Sequence, residues 1–256
     1  MPKLSGMEQY QTHLWSKPGV PMSLPSGPRT ILALDYHDPQ AALRLVEMLD
    51  PQLCRLKVGK ELFTRSGPEF VCKLIEQGYE VFLDLKFHDI PQTVARAVQA
   101  AAELGVWMVN VHASGGRHMM ESAANALARY PRAPLLIAVT VLTSLDRYDL
   151  NEIGVAHTPA DWAVTLAKLA EDSGLQGVVC SAQDLAMLKP EVDAAFLRVT
   201  PGIRLPGDEQ HDQKRVLDPA AAIRAGSHYL VVGRSVTAAA DPVAKLHVIN
   251  AQISAA

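Results

Sequence analysis

The chain has 256 residues, 48% of them hydrophobic, which is enough to bury a sizeable core. The length would permit two domains, but α/β barrels of about 250 residues commonly form one. A formal net charge of −3 and a pI near 6.3 exclude the basic footprint of a nucleic-acid binder, and no apolar run approaches the roughly 18 residues needed to cross a bilayer.

Residues 1–28, "MPKLSGMEQYQTHLWSKPGVPMSLPSGP", lack the apolar centre of a secretory signal. Their proline, glycine and serine content reads as an arm or disordered tail, with Tyr10 and Trp15 as side chains that could dock it. From residue 29 to residue 256 a single domain is expected. Short β-branched runs, "TILALD", "LCRLKVG", "YEVFLDLK", "VWMVNVHA", "PLLIAVTVL", "LQGVVCSA", "AFLRVT" and "HYLVVG", alternate with stretches of helical period such as "PQAALRLVEMLD", "IPQTVARAVQAAAEL" and "PADWAVTLAKLAEDSG". Gly78, Gly105, Gly174 and Gly226 fall late in helical stretches, where a left-handed cap is wanted. Near-continuous apolar strands separated by helices imply a parallel sheet covered on its faces, and eight such units predict a closed (β/α)8 TIM barrel. A doubly wound open sheet is the rival and usually has fewer strands. "PGIRLPGDEQHDQKRV", between the seventh and eighth strands, is the one long irregular interruption and reads as a lid or binding loop. Cys54, Cys72 and Cys180 are widely spaced and odd in number, the pattern of buried reduced thiols in a cytoplasmic enzyme.

Barrel chemistry gathers at the C-terminal ends of the strands. In "EVFLDLKFHDIPQTV" the alternation of a strand places Phe82, Asp84 and Lys86 on one face and Val81, Leu83 and Leu85 on the other. The aliphatic set suits the helix-facing side, so Asp84 and Lys86 point into the barrel mouth, with Asp89 following on the loop. Lys57 near the end of the second strand and Asp35 at the end of the first converge on the same place. Such groups would hold one another, since buried Lys and Asp are paired. A D-x-K-x-x-D string alone is equally compatible with a solvated surface run; the buried strand before it turns the reading towards a site. Lys60 reads as a solvated helix residue.

The loops after strands seven and eight carry Thr200, Gly202 and Arg204, then Gly233, Arg234 and Ser235. Barrels often bind phosphate there through backbone N–H groups, with a glycine for close approach and an arginine fork for charge. Gln213, in the long loop, could fold over such an anion. A metal site built from His88, His112 and His118 is not supported, because no tight ligand spacing joins them.

Taken together, "LALD", "LKVGKELF", "FLDLKFHDIPQTV", "VNVHASGG", "VTVLTS", "TPGIR" and "VVGRS" resemble the orotidine 5′-phosphate decarboxylase family, in order and spacing, from residue 29 to about 245. The leading arm is the main departure. The resemblance implies a cytoplasmic enzyme that converts orotidine 5′-monophosphate to uridine 5′-monophosphate and CO2, the last step of pyrimidine nucleotide synthesis, with no metal and no organic cofactor. It implies a catalytic array of Lys57, Asp84, Lys86 and Asp89 with Lys86 as proton donor. It further implies ribose contacts from Asp35 and Lys57, pyrimidine contacts from Thr143 and Ser144, and phosphate contacts from Gln213, Gly233 and Arg234, with Arg204 nearby. Asp89 and Thr93 would reach into the site of a second subunit, making a homodimer. Two rival readings are a magnesium-dependent phosphosugar decarboxylase or aldolase on a related barrel, and a non-catalytic nucleotide-binding protein.

Overall fold

The computed structural model describes residues 27–205 and 217–256; most of the expected N-terminal arm, and Gln213, lie outside the described residues. Eight strands form as the apolar runs require: β1 (Thr30–Ala33), β2 (Arg55–Gly59), β3 (Val81–Phe87), β4 (Met108–His112), β5 (Leu135–Val139), β6 (Gly177–Val179), β7 (Leu197–Thr200) and β8 (Tyr229–Val232). Each pairs with the next in parallel, and β8 pairs with β1, closing the barrel. The expected (β/α)8 architecture is therefore present.

Around the barrel run α1 (Pro39–Val46), α2 (Lys60–Glu76), α3 (Pro91–Glu103), α4 (Arg117–Leu127), α5 (Arg147–Glu152), α6 (Pro159–Asp172), α7 (Leu185–Leu188), α8 (Pro219–Ala225), α9 (Arg234–Thr237) and α10 (Pro242–Ser254). Proline opens α1, α3, α6, α8 and α10, where its missing N–H costs nothing and its fixed φ suits the helix. Asp38, Thr158, Asp218 and Asp241 cap four of these by accepting from first-turn N–H groups. Gly78, Gly105, Gly174 and Gly226 all take positive φ just past helix ends, as their spacing predicts. Two connections depart from a plain strand–helix alternation. A short extra helix, α5, precedes α6 after β5. Between β6 and β7 the helix is the single turn α7, whose cap Lys189 keeps helical φ and ψ and is followed by Pro190, which has no N–H to continue the helical ladder. Among the described residues no helix is long and apolar enough to cross a membrane.

Strand alternation divides the core in two. Leu32, Leu56, Val58, Val81, Leu83, Val109 and Val111 face the helices, while Ile31, Phe82, Met108, Ile137, Leu197, Val199, Tyr229 and Val231 fill the barrel. The inward register of β2 places a cation at each end of that filling. At the bottom, Arg55 lies 4.3 Å from the Trp107 ring centroid and pairs with Glu80 at 2.6 Å, so its charge is both stacked and neutralised. At the top, two residues on, is Lys57.

Candidate active site

Lys57 is buried, with its ammonium 3.1 Å from Asp35 Oδ1 and 3.3 Å from Asp84 Oδ2. The other oxygen of Asp84 accepts from Lys86 Nζ at 2.6 Å and from Asn110 Nδ2 at 2.7 Å. Asp35, Lys57, Asp84 and Lys86 thus form one continuous chain of alternating charge. It runs from solvent-exposed Asp35 into the buried Lys57–Asp84 pair and out to Lys86, whose side chain is 26% exposed. Burial alone would lower the pKa of Lys57, but Asp84 and Asp35 outweigh it and hold that ammonium above its ordinary value. Burial alone would raise Asp84; Lys57, Lys86 and the Asn110 hydrogen bond win, so its carboxyl lies below the usual carboxylate range. Both groups are therefore charged at neutral pH, and neither is available to exchange a proton.

Gly59 closes this network from the side. A Cβ there would stand 3.3 Å from Lys57 Nζ, tight enough that the ammonium would have to shift by a few tenths of an ångström, and in ordinary contact 3.5 Å from Asp35 Oδ1. The role of Gly59 was not visible in the sequence, where it reads only as a strand end.

The third strand does not alternate through to its tip. Pairing of β3 with β4 shifts register between Leu83 and Phe87, and inside that bulge Lys86 takes φ 53°, unlike every other described non-glycine residue. A lysine in the left-handed region costs about 1–2 kcal/mol, so something must hold it there. Asn110 does so: its Oδ1 accepts the Lys86 N–H at 2.8 Å while its Nδ2 donates to Asp84. Asn110 is wholly buried and shares the inward face of β4 with Met108. Sequence reasoning passed over it inside "VWMVNVHA", although a lone amide in an apolar strand is a signal, since a buried polar group needs partners.

These charged residues form one wall of a cavity of about 450 Å³ at the C-terminal end of the barrel. Phe82, Val139, Val179 and Val231 contribute apolar lining, and Thr143, Gly202, Arg204, Gly233 and Arg234 are also part of the wall. The Arg204 N–H donates to the Leu217 carbonyl, and Ile203 bridges to Leu217, so the loop after β7 is pinned at its base. Thr200 is not at the cavity; it is buried 2.8 Å from the Ser227 hydroxyl. Cys180 also lines the cavity, with its thiol pushed up to about 12, chiefly by burial. Among the proposed pyrimidine contacts, Thr143 reaches the cavity and Ser144 is exposed beside it without lining it. Asp89 and Thr93 do not line the cavity of their own chain. Asp89 is exposed and accepts from the Ile90 N–H at 2.6 Å, and Thr93 is exposed on the first turn of α3.

The three histidines do not converge. His88 and His112 pack with ring centroids 5.4 Å apart and planes tilted by 34°, and burial, helped by His88, Lys60 and Lys86, lowers His112 to about 4. His118 lies on α4, and among the described residues no group of three or more His, Cys, Asp or Glu is placed to hold a metal ion.

Residues 28–249 match the profile of the orotidine 5′-phosphate decarboxylase / HUMPS family. The chain belongs to this family. It is 59% identical over 226 residues to the orotidine 5′-phosphate decarboxylase of Pseudoalteromonas translucida, covering 88% of this chain and 97% of that protein. It is likewise 59% identical over 224 residues to the enzyme of the same name from Chromobacterium violaceum, covering 88% and 91%. Among solved structures, that of orotidine 5′-phosphate decarboxylase from Lactobacillus acidophilus superposes with a TM-score of 0.78 at 38% identity, covering 88% of this chain and 98% of that one. Family members share an eight-stranded barrel, and the charge chain of this one occupies the strand ends where barrel enzymes work.

Proposed function

We propose that this cavity removes CO2 from orotidine 5′-monophosphate to give uridine 5′-monophosphate, the last step of pyrimidine nucleotide synthesis, with Lys86 as the proton donor. The observation that carries the reading is an ammonium group, that of Lys86, fixed by a buried carboxylate in the wall of a cavity whose lining also presents Arg204 and Arg234. Arg234 and the Gly233 backbone would take the phosphate, with Arg204 nearby and Gln213 contributed from the loop after β7. Asp35 and Lys57 would hold the ribose hydroxyls, and Thr143 with Ser144 would face the pyrimidine.

The hard step is heterolysis of the bond between C6 and its carboxylate. The electron pair stays on C6, neutral CO2 leaves, and no ring position accepts the charge. A cation already in place at C6 stabilises that charge as it develops, and the apolar lining strengthens the effect by lowering the local dielectric. Lys86 then transfers a proton to C6 and regains one from solvent. Asp84 would face the substrate carboxylate. Two like charges about 4 Å apart cost roughly 4 kcal/mol at an effective dielectric near 20, a stress that loss of CO2 relieves. This ranks below stabilisation by Lys86, because such ground-state effects are contested. As written, the step needs neither a metal nor an organic cofactor, since Lys86 meets the charge.

The reading also includes a homodimer in the cytoplasm, with Asp89 and Thr93 completing the site of the partner. It is supported by their exposure outside their own cavity, beside Ile90, an isoleucine left 66% exposed. Chains carrying Lys86→Ala and Asp89→Ala, each inactive alone, should regain activity when mixed and reassembled, because one site of the heterodimer is then intact. Failure to complement would remove the shared site.

The reaction itself is tested by following the ultraviolet absorbance of orotidine 5′-monophosphate with purified protein and excess EDTA. Undiminished turnover is expected. Activity that disappears with the chelator and returns with magnesium would favour the phosphosugar type of chemistry. Tight binding of uridine phosphates without turnover would favour a silent binding protein.

A further inference from the structure

We infer that Asn110 is a positioning residue for Lys86, setting the place of its ammonium through both the main chain and Asp84; this rests on the reading of Lys86 as proton donor. Asn110 has no exposed surface and does not line the cavity, so it does not touch substrate. Both ends of its amide are committed to the reacting strand. Its orientation follows from chemistry, because the Lys86 N–H can only donate and an ionised Asp84 can only accept.

The location explains why an amide is needed. Where β3 bulges, the ladder between β3 and β4 is broken, and the Lys86 N–H finds its partner in a side chain of β4. The same side chain donates to Asp84 Oδ1, the oxygen that the Lys86 ammonium grips at 2.6 Å. One buried amide therefore restrains the root of the Lys86 side chain and the carboxylate that holds its tip. A space-filling apolar residue would serve packing equally well and would leave the Lys86 N–H unsatisfied in a left-handed conformation.

Asn110→Ala should lower kcat about a hundredfold, the scale of a misplacement near 1 Å, while KM and the affinity for uridine 5′-monophosphate stay within about threefold. A residue that merely supports the fold would move binding and thermal stability together with kcat. Asn110→Asp adds a second, distinguishing readout. Charged or titratable groups near this position are Lys57 of β2, Asp84 and Lys86 of β3 and the histidine His112 of β4, while its neighbour across on β5 is the uncharged Ile137. The protonated acid can donate to Asp84 and accept the Lys86 N–H, as the amide does. The ionised acid sets a second carboxylate against Asp84. The kcat of Asn110→Asp should therefore fall as pH rises, relative to the parent measured alongside. Lys86→Ala serves as the control. If Lys86→Ala is inactive while Asn110→Ala keeps kcat within threefold, or Asn110→Asp follows the pH profile of the parent, the positioning role is wrong and the proton-donor reading stands. If Lys86→Ala itself retains turnover, the underlying reading fails.

Discussion

Asp84 is the hub of the charge chain, and replacing it with asparagine measures what the hub contributes. At an effective dielectric of 20, its attraction to Lys57 at 3.3 Å is about 5 kcal/mol and to Lys86 at 2.6 Å about 6 kcal/mol. Desolvating the carboxylate and the ammonium of Lys57 takes back several kcal/mol each. Removing one member of a fully buried ion pair costs about 3–5 kcal/mol, and Lys86 is partly open to solvent, so Asp84→Asn should destabilise the fold by about 2–4 kcal/mol at pH 7. Urea unfolding followed by circular dichroism, without ligand, provides the number. Because the folded-state pKa of Asp84 is depressed, its contribution is complete above the unfolded value near ~3.9 and is lost as pH falls through the lower folded value. The gap between parent and variant should stay constant from about pH 5 upward and close only in strong acid. A gap below about 1 kcal/mol at pH 7, or a more stable variant, would refute the view that the two lysines hold this carboxylate ionised.

Two further outcomes are expected. Arg234→Ala should reduce kcat/KM for orotidine 5′-monophosphate by about 10- to 100-fold through the loss of charge-assisted hydrogen bonds, with little change in binding of unphosphorylated uridine; equal kcat/KM for variant and parent would take Arg234 out of the phosphate site. His112 and His228 are both lowered to about 4, mainly by burial, whereas unfolded histidines titrate near ~6.5. The folded chain thus binds fewer protons than the unfolded chain between those values, so stability should fall as pH drops from about 6.5 to 4. Both rings are partly solvated, which limits the loss to about 1–2 kcal/mol in total. His228→Asn should remove part of that slope in urea titrations, and an unchanged slope would contradict the assignment.

Much of this was legible before any coordinates. Alternation along "VFLDLK" places Phe82 and Asp84 inside because period two is a property of any strand, and Gly78, Gly105, Gly174 and Gly226 mark helix ends because glycine takes the left-handed cap without strain. The convergence of Asp35, Lys57, Asp84 and Lys86 follows from their place at strand ends once the barrel closes. What alternation alone does not reveal is how Lys86 reaches the mouth. It does so through a bulge and a left-handed backbone, features set by the mismatch of β3 against β4 and so encoded across two strands. Asn110 was missed for the same reason, since its partners lie 24 and 26 positions away. The one-turn α7 and the extra α5 escaped a pattern that assumes one full helix per strand. Asp89 and Thr93 are exposed and do not line the cavity of their own chain, so strand alternation within one barrel gives them no place in the site.

The most direct measurement is the turnover of Lys86→Ala set beside its affinity for uridine 5′-monophosphate. A fixed cation that also delivers the proton should be worth at least about a thousandfold in kcat, while product binding, governed by the phosphate and ribose contacts, should stay within about tenfold. Retention of most of the parent kcat, with binding intact, would contradict the claim that an ammonium group at C6 carries this reaction.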